Sequence, residues 1–145
     1  MQCRVHEAGE LKTYKYVVIL SLYDGKILLS RHKKRATWET QGGHIEAGET
    51  PLEAAKRELY EESGAVHYTI EPLCDYWAGD EDGWANGMVF LANVEELGPL
   101  PESEMADVRT FEELPENLTY PDITPKLWAW ARNVLSQSAD SAGSS

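Results

Sequence analysis

The chain has 145 residues, 42% of them hydrophobic, and its 25 acidic against 13 basic side chains leave a formal charge of −12. That length supports one core and one domain, read as residues 1–135, and the charge repels a nucleic-acid backbone, so no polymer partner is expected. No segment approaches the roughly 18 to 20 apolar residues of a membrane span, residues 1–10 lack the apolar stretch of a secretory signal, and Cys3 and Cys74 are too few for a disulfide framework, which points to the cytoplasm.

In chain order, residues 14–22 are rich in Val, Ile and Tyr, Asp24-Gly25 is a hairpin turn signal, and residues 26–30 resume the strand pattern. A β-hairpin is expected. The run Arg31-His32-Lys33-Lys34-Arg35 is the densest basic stretch and leads into a loop with Trp38 and Gly42-Gly43; it is either a solvated strand end or an anion contact. Thr50-Pro51-Leu52-Glu53 starts a helix: Thr50 caps, Pro51 fits the first helical position, and Glu53 closes the capping box. Gly64 stops it near Ser63, and Leu52, Ala55 and Leu59 share the stripe expected to face the core.

Residues 65–78 and 84–94 read as strands flanking an exposed acidic loop, residues 79–83. After a Pro/Gly turn at residues 97–101, residues 111–114 read as a short helical turn. Ile123, Leu127, Trp130 and Val134 give residues 122–135 the spacing of an amphipathic helix. Residues 136–145, rich in Ser and Ala and poor in apolar side chains, are expected to be a disordered tail.

The chemistry gathers between Gly43 and Ala65. Glu58, Glu61 and Glu62 stand at i, i+3 and i+4, on one helix face. Like charges at that spacing cost about 0.2–0.5 kcal/mol per pair, and Glu61 and Glu62 also sit where the helix dipole disfavours anions. Arg57, within reach of Glu53 and Glu61, relieves only part of this. Such a face is either a solvated acidic surface or a set of hard oxygen ligands for Mg2+ or Mn2+, whose charge removes the repulsion and whose waters exchange for phosphate oxygens.

Those residues belong to a longer pattern. Gly43, Glu49, Arg57, Glu58, Leu59, Glu61, Glu62, Gly64 and Ala65 fill the series Gly, five residues, Glu, seven residues, Arg-Glu-apolar-any-Glu-Glu-any-Gly-apolar. This resembles the Nudix box at every fixed position, Ala65 being smaller than the aliphatic residue usual there. Ile27-Leu28-Leu29, Arg31, Trp38 and Gly42-Gly43 are similar to the strand and approach loop that precede the box in many Nudix hydrolases.

The resemblance implies an α/β protein with the Nudix fold, an α/β/α sandwich around a mixed β-sheet. It implies Mg2+-dependent hydrolysis, with Mn2+ as a substitute, of a nucleoside diphosphate-linked small molecule by a monomer or homodimer. Glu58, Glu61, Glu62 and the Gly42 carbonyl are then the metal ligands, and Glu49 and Arg57 hold the loop against the helix. The family does not place its proton acceptor uniformly; Glu58 is nominated first and Glu104 second, although Glu104 reads equally as a surface acid. Arg31, Lys33 and Arg35 become candidate phosphate contacts. Trp38 is either a base-stacking residue or packing, and Trp77 and Trp84 either line a base pocket or pack a hairpin.

The first substrate expectation is a nucleoside triphosphate, an oxidised purine such as 8-oxo-dGTP included, cut to monophosphate and pyrophosphate. ADP-ribose or a nucleotide sugar is the alternative, because Thr40-Gln41 stands where many triphosphate cleavers carry an aromatic or aliphatic residue and Pro. A non-catalytic nucleotide-binding regulatory domain is disfavoured by the presence of all three helix glutamates. An isomerase of the isopentenyl diphosphate type would need a catalytic Cys that neither Cys3 nor Cys74 matches.

Overall fold

Strands and helices alternate as β1 (Gln2–Glu7), β2 (Tyr16–Tyr23), β3 (Lys26–His32), β4 (Trp38–Glu39), β5 (Gln41–His44), α1 (Pro51–Ser63), β6 (Ala65–Asp80), β7 (Gly83–Leu97), β8 (Met105–Phe111) and α2 (Thr124–Gly143). They are taken from a computed structural model that describes residues 1–143. All the strands join one mixed sheet whose main path is β1-β6-β7-β2-β3-β4. β2 runs parallel to β7 along one edge, and its other edge forks: residues 21–23 pair with β3 and residues 16–19 with β5. That fork brings Gly42 and Gly43 under α1.

Alternation along the strands sends side chains to two faces. Val17, Ile19, Leu28 and Phe90 meet Ala54, Ala55 and Leu59 of α1 on one, while Leu20, Leu29, Val89 and Leu91 meet Leu127, Trp128 and Ala131 of α2 on the other. The result is the α/β/α sandwich. Each large aliphatic side chain so buried contributes about 1.5–3 kcal/mol.

The local signals act as expected at the first hairpin, where Asp24 and Gly25 take φ of 54° and 75°, and at α1. Thr50 Oγ1 accepts from the Glu53 amide (3.1 Å), Glu53 Oε1 accepts from the Thr50 amide (3.0 Å), and Gly64, at φ 79°, donates to the Tyr60 carbonyl.

Elsewhere the fold differs from expectation. Of the expected α1 stripe Ala55 and Leu59 are buried, but Leu52 is 40% exposed, and Ala54 and Ser63 are buried beside them. The loop between β6 and β7 shrinks to Glu81-Asp82, because Gly79↔Trp84 and Asp80↔Gly83 stay paired. β1 and β8 were not foreseen. β1 pairs with β6 and buries Cys3. Phe111, expected in a helical turn, ends β8 and packs edge-on to Trp38 with ring centroids 5.1 Å apart. In α2 the buried stripe is Leu127, Trp128 and Ala131, while Val134 is exposed. The helical backbone continues from Ser136 to Gly143, where no Pro or Gly interrupts it earlier; of the expected tail, Ser144 and Ser145 lie outside the described residues. Among the described residues no helix is long and apolar enough to cross a membrane.

Candidate active site

The last turns of α1 lie on β5, which pairs with the start of β2 through Gly42↔Val18 and Gly43↔Val17. The two glycines permit that approach. A β-carbon on Gly43 would stand 2.7 Å from Glu58 Oε1, and one on Gly42 would collide with the Val17 carbonyl. The Gly42 amide donates to Glu62 Oε1 at 2.7 Å. Burial pushes the Glu62 carboxyl up to about 9, with the charges of Glu58, Glu39 and Glu61 adding and the Gly42 amide opposing. Burial also raises Glu58, against the pull of Arg57.

Arg57 is the hub of the charged network. Its Nε and Nη2 donate to the two oxygens of Glu49 (2.8 and 2.9 Å), its Nη1 to Glu58 Oε1 (2.7 Å), and its Nη2 also to the His44 carbonyl (3.1 Å). This fork ties residues 45–49 to the helix. The guanidinium bonds, helped by the Glu46 amide, hold the Glu49 carboxyl down at about 2, and Glu49 in turn raises Arg57.

Among the described residues no group of three or more His, Cys, Asp or Glu side chains already stands in a metal-binding arrangement. Glu58 is turned to Arg57, Glu62 to the Gly42 amide, and Glu61, its side chain 47% exposed, leans toward Arg57 at 3.6 Å. The donor chemistry nevertheless fits a hard divalent cation. Every candidate ligand is an oxygen, and the protonated state of Glu62 is favoured only by burial and neighbouring acids, a bias that a doubly charged ion reverses.

On their other side Gly42 and Gly43 border a cavity of 560 Å³ that opens toward α2; Tyr16, Tyr76, Trp84 and Tyr120 line it with His44 and Glu39. Trp84 is 65% exposed at the rim, 6.4 Å from Trp77 between ring centroids. Nothing in the spacing marked Glu39, Tyr16, Tyr76 or Tyr120 beforehand, since each stands alone in its strand or loop and the fold assembles them. Glu39 is only 8% exposed; its Oε1 accepts from Arg35 Nη1 (3.0 Å) and Thr119 Oγ1 (3.2 Å).

The rest of the basic run stays apart from the helix carboxylates. Ser30 faces α1, donating to the Glu62 carbonyl at 2.7 Å, so its neighbour Arg31, paired with Trp38, points to the opposite face. Arg31, Lys33, Lys34 and Arg35 line a second cavity of 520 Å³ with Trp38 and Arg109. Trp38 itself is buried beneath Phe111, with the Arg109 guanidinium 5.1 Å from its ring. Glu104 is exposed (85% of its side chain) and lies 3.5 Å from His32 Nε2, another residue outside the motif.

Gln41 is buried between these features. It accepts from Ser21 Oγ (2.8 Å) and donates to the Leu28 carbonyl (3.2 Å) and Ser30 Oγ (2.9 Å), and Ser30 passes the chain on to the Glu62 carbonyl. The departure at Thr40-Gln41 thus has a structural use: it braces β5 against β2, β3 and the end of α1.

Comparison with known proteins agrees with this architecture. The family model described as NUDIX domain matches residues 13–135. A Bacillus subtilis protein provisionally named an 8-oxo-dGTP diphosphatase is 33% identical over 106 residues, 72% of this chain and 66% of its own length. An RNA pyrophosphohydrolase of Francisella philomiragia is 38% identical over 57 residues, 39% of this chain and 36% of its own. The matched segment therefore spans between 36% and 66% of these relatives. Among solved structures, a Bacillus subtilis pyrophosphohydrolase has a TM-score of 0.78 at 24% identity, covering 93% of this chain and 90% of that one. The NUDIX domain of Shewanella oneidensis NrtR, complexed with ADP ribose, has a TM-score of 0.67 at 21% identity, covering 83% and 86%. At those identities the likeness is one of fold. Matched from residue 13 to residue 135 with the whole box included, the chain belongs to the Nudix hydrolase family.

Proposed function

We propose that this protein is a divalent-cation-dependent pyrophosphohydrolase that cleaves a nucleoside triphosphate to monophosphate and pyrophosphate. The observation that carries this reading is the junction at Gly42-Gly43, with the half-buried carboxylates of Glu58 and Glu62 on one side and an aromatic cavity of 560 Å³ on the other. A base stacked in the cavity directs its phosphates across the glycines toward α1. Mg2+ or Mn2+ held by Glu58, Glu61, Glu62 and the Gly42 carbonyl would neutralise phosphate charge and lower the pKa of the attacking water.

The chain's own groups have distinct tasks. Glu58 is the better-placed proton acceptor, through Oε2, which its Arg57 bond leaves free; Glu104, exposed beside His32, is the second nominee. The water oxygen bonds to phosphorus as the bridging P–O bond breaks, and the pyrophosphate leaves with its electron pair. Arg57 and Glu49 position Glu58 and do not touch substrate. Arg35 enters through Glu39. Arg31 and Lys33 meet phosphates only of a substrate long enough to reach the second cavity, and Trp38 is left as packing.

The test is product analysis with Mg2+ on GTP, 8-oxo-dGTP, ADP-ribose and a 5′-triphosphorylated oligoribonucleotide, two of which the relatives' names suggest. Monophosphate and pyrophosphate from the mononucleotides are expected. A strong preference for ADP-ribose would replace the substrate assignment, and no product from any of them would leave a binding-only domain.

A further inference from the structure

We propose that Glu39 reads the Watson–Crick edge of the bound base and makes the cavity selective for guanine. This rests on the nucleotide reading above and adds which base is taken and by what group.

Glu39 is held as a fixed acceptor. Its Oε1 is committed to Arg35 Nη1 and Thr119 Oγ1. Because Thr119 gives its proton there, Thr37 must be the donor in the 2.7 Å contact between the two threonine hydroxyls, so a relay of donors fixes the carboxylate. The backbone beneath is pinned too: the Trp38 amide donates to the Asn117 carbonyl and the Thr119 amide to the Trp38 carbonyl, both at 2.9 Å. Oε2 accepts no hydrogen bond among the described residues, yet it is not a sealed, unpartnered atom. Glu39, 8% exposed, is one of the residues that line the cavity.

The cavity's other carboxylates, Asp80 and Asp82, stand exposed at the β6–β7 turn, so Glu39 is the buried one. Tyr16, Tyr76, Trp84 and Tyr120 offer ring faces, on which any base stacks. An acceptor-only carboxylate does choose. Guanine presents N1–H and the N2 amino group side by side. Adenine and cytosine present one amine next to a ring nitrogen whose lone pair the carboxylate repels, and uracil and thymine set N3–H between two carbonyls. Guanine alone supplies two adjacent donors, and the one uncommitted oxygen, Oε2, can accept both. Oxidation at C8 alters the opposite edge of the purine, so Glu39 treats guanine and 8-oxoguanine alike.

The experiment is calorimetric binding of GMP, IMP, AMP and UMP in Mg2+. IMP lacks only the N2 amino group and should bind about tenfold or more weakly than GMP, with AMP and UMP weaker again. In Glu39→Gln the GMP-to-IMP ratio should fall to within about twofold. Equal affinities for GMP and IMP in the unaltered protein would overturn the inference, as would an unchanged ratio in E39Q. The ligand comparison needs no variant, so a misfolded E39Q leaves the proposal open to refutation. A GMP preference with no hydrolysis of GTP would sink the hydrolase reading alone; equal affinities with GTP hydrolysis intact would sink the Glu39 reading alone; binding of none of the four nucleotides would sink both.

Discussion

Two short charged runs, Arg31 to Arg35 at the end of β3 and Arg57 to Glu62 in α1, are treated by the fold in opposite ways. The acidic run is turned inward: Glu62 and Glu58 lose water and rise in pKa, and a buried polar chain holds the Glu62 carbonyl. The basic run remains around an open cavity on the other face, and Arg35 joins it to the site through Glu39. Burying charge against its preference costs free energy that folding alone does not return. The desolvated run is therefore where function is expected, and the solvated one is where sequence-level charge is most misleading.

The largest effect that would sharpen this contrast is at Glu62. Glu62→Gln should lower kcat about a thousandfold while leaving the protein folded, read by steady-state kinetics and thermal melting; turnover near the original level would remove Glu62 from the site. The same variant tests the cost of burial. A carboxyl raised from 4.5 to about 9 in the fold stays protonated over a range where the unfolded chain releases its proton. Metal-free protein should thus lose stability as pH climbs from 4.5 toward 9, and E62Q, or Mg2+ added to the unaltered chain, should flatten that slope.

Next in size is the brace. Gln41→Leu keeps the volume but strips partners from Ser21, Leu28 and Ser30, at a cost of about 2–3 kcal/mol. That corresponds to a melting temperature lower by about 6–12 °C, and a midpoint unchanged in urea would make the brace ornamental.

Glu49→Gln should reduce kcat about ten- to a hundredfold by freeing Arg57. Its carboxyl, held at about 2, contributes stability above 4.5 that disappears as pH falls toward 2, so the acid limb of a pH–stability curve should be shallower in the variant.

The smallest effect is expected on the solvated side. Arg31→Ala and Lys33→Ala should raise KM for a mononucleotide by no more than about threefold, the range of exposed charges. A tenfold rise would show that the second cavity holds substrate phosphates and would break the contrast between the two runs.

What was readable beforehand was what depends on spacing within one element. Thr50, Glu53 and Gly64 set the ends of α1 by local hydrogen bonding, and the helix period put Glu58, Glu61 and Glu62 on one side. The Glu49–Arg57 pair is readable only through the motif, because eight residues and a turn separate its members. Register across the sheet was not readable. Whether Arg31 faces α1 or the far side is decided by how β3 aligns with β4 and β8, and a shift of one residue reverses it. Glu39, Tyr16, Tyr76 and Tyr120 come from separate elements and share a cavity only after folding. β1 was missed because its inward positions are the small Cys3 and a partly exposed Val5 between polar neighbours, too faint an alternation to register.

Helix ends usually fray, which makes them poor places for groups that must hold still. The end of α1 is fastened from several directions: Ser63 Oγ donates to the Leu59 carbonyl, Ser30 Oγ to the Glu62 carbonyl, the Gly64 amide to the Tyr60 carbonyl, and the Gly98 amide to the Gly64 carbonyl. Amides in this turn should consequently exchange with deuterium as slowly as those in the middle of the sheet. A ligand arriving there meets a rigid backbone and has little disorder left to quench, which favours quick, reversible capture over slow moulding of the site.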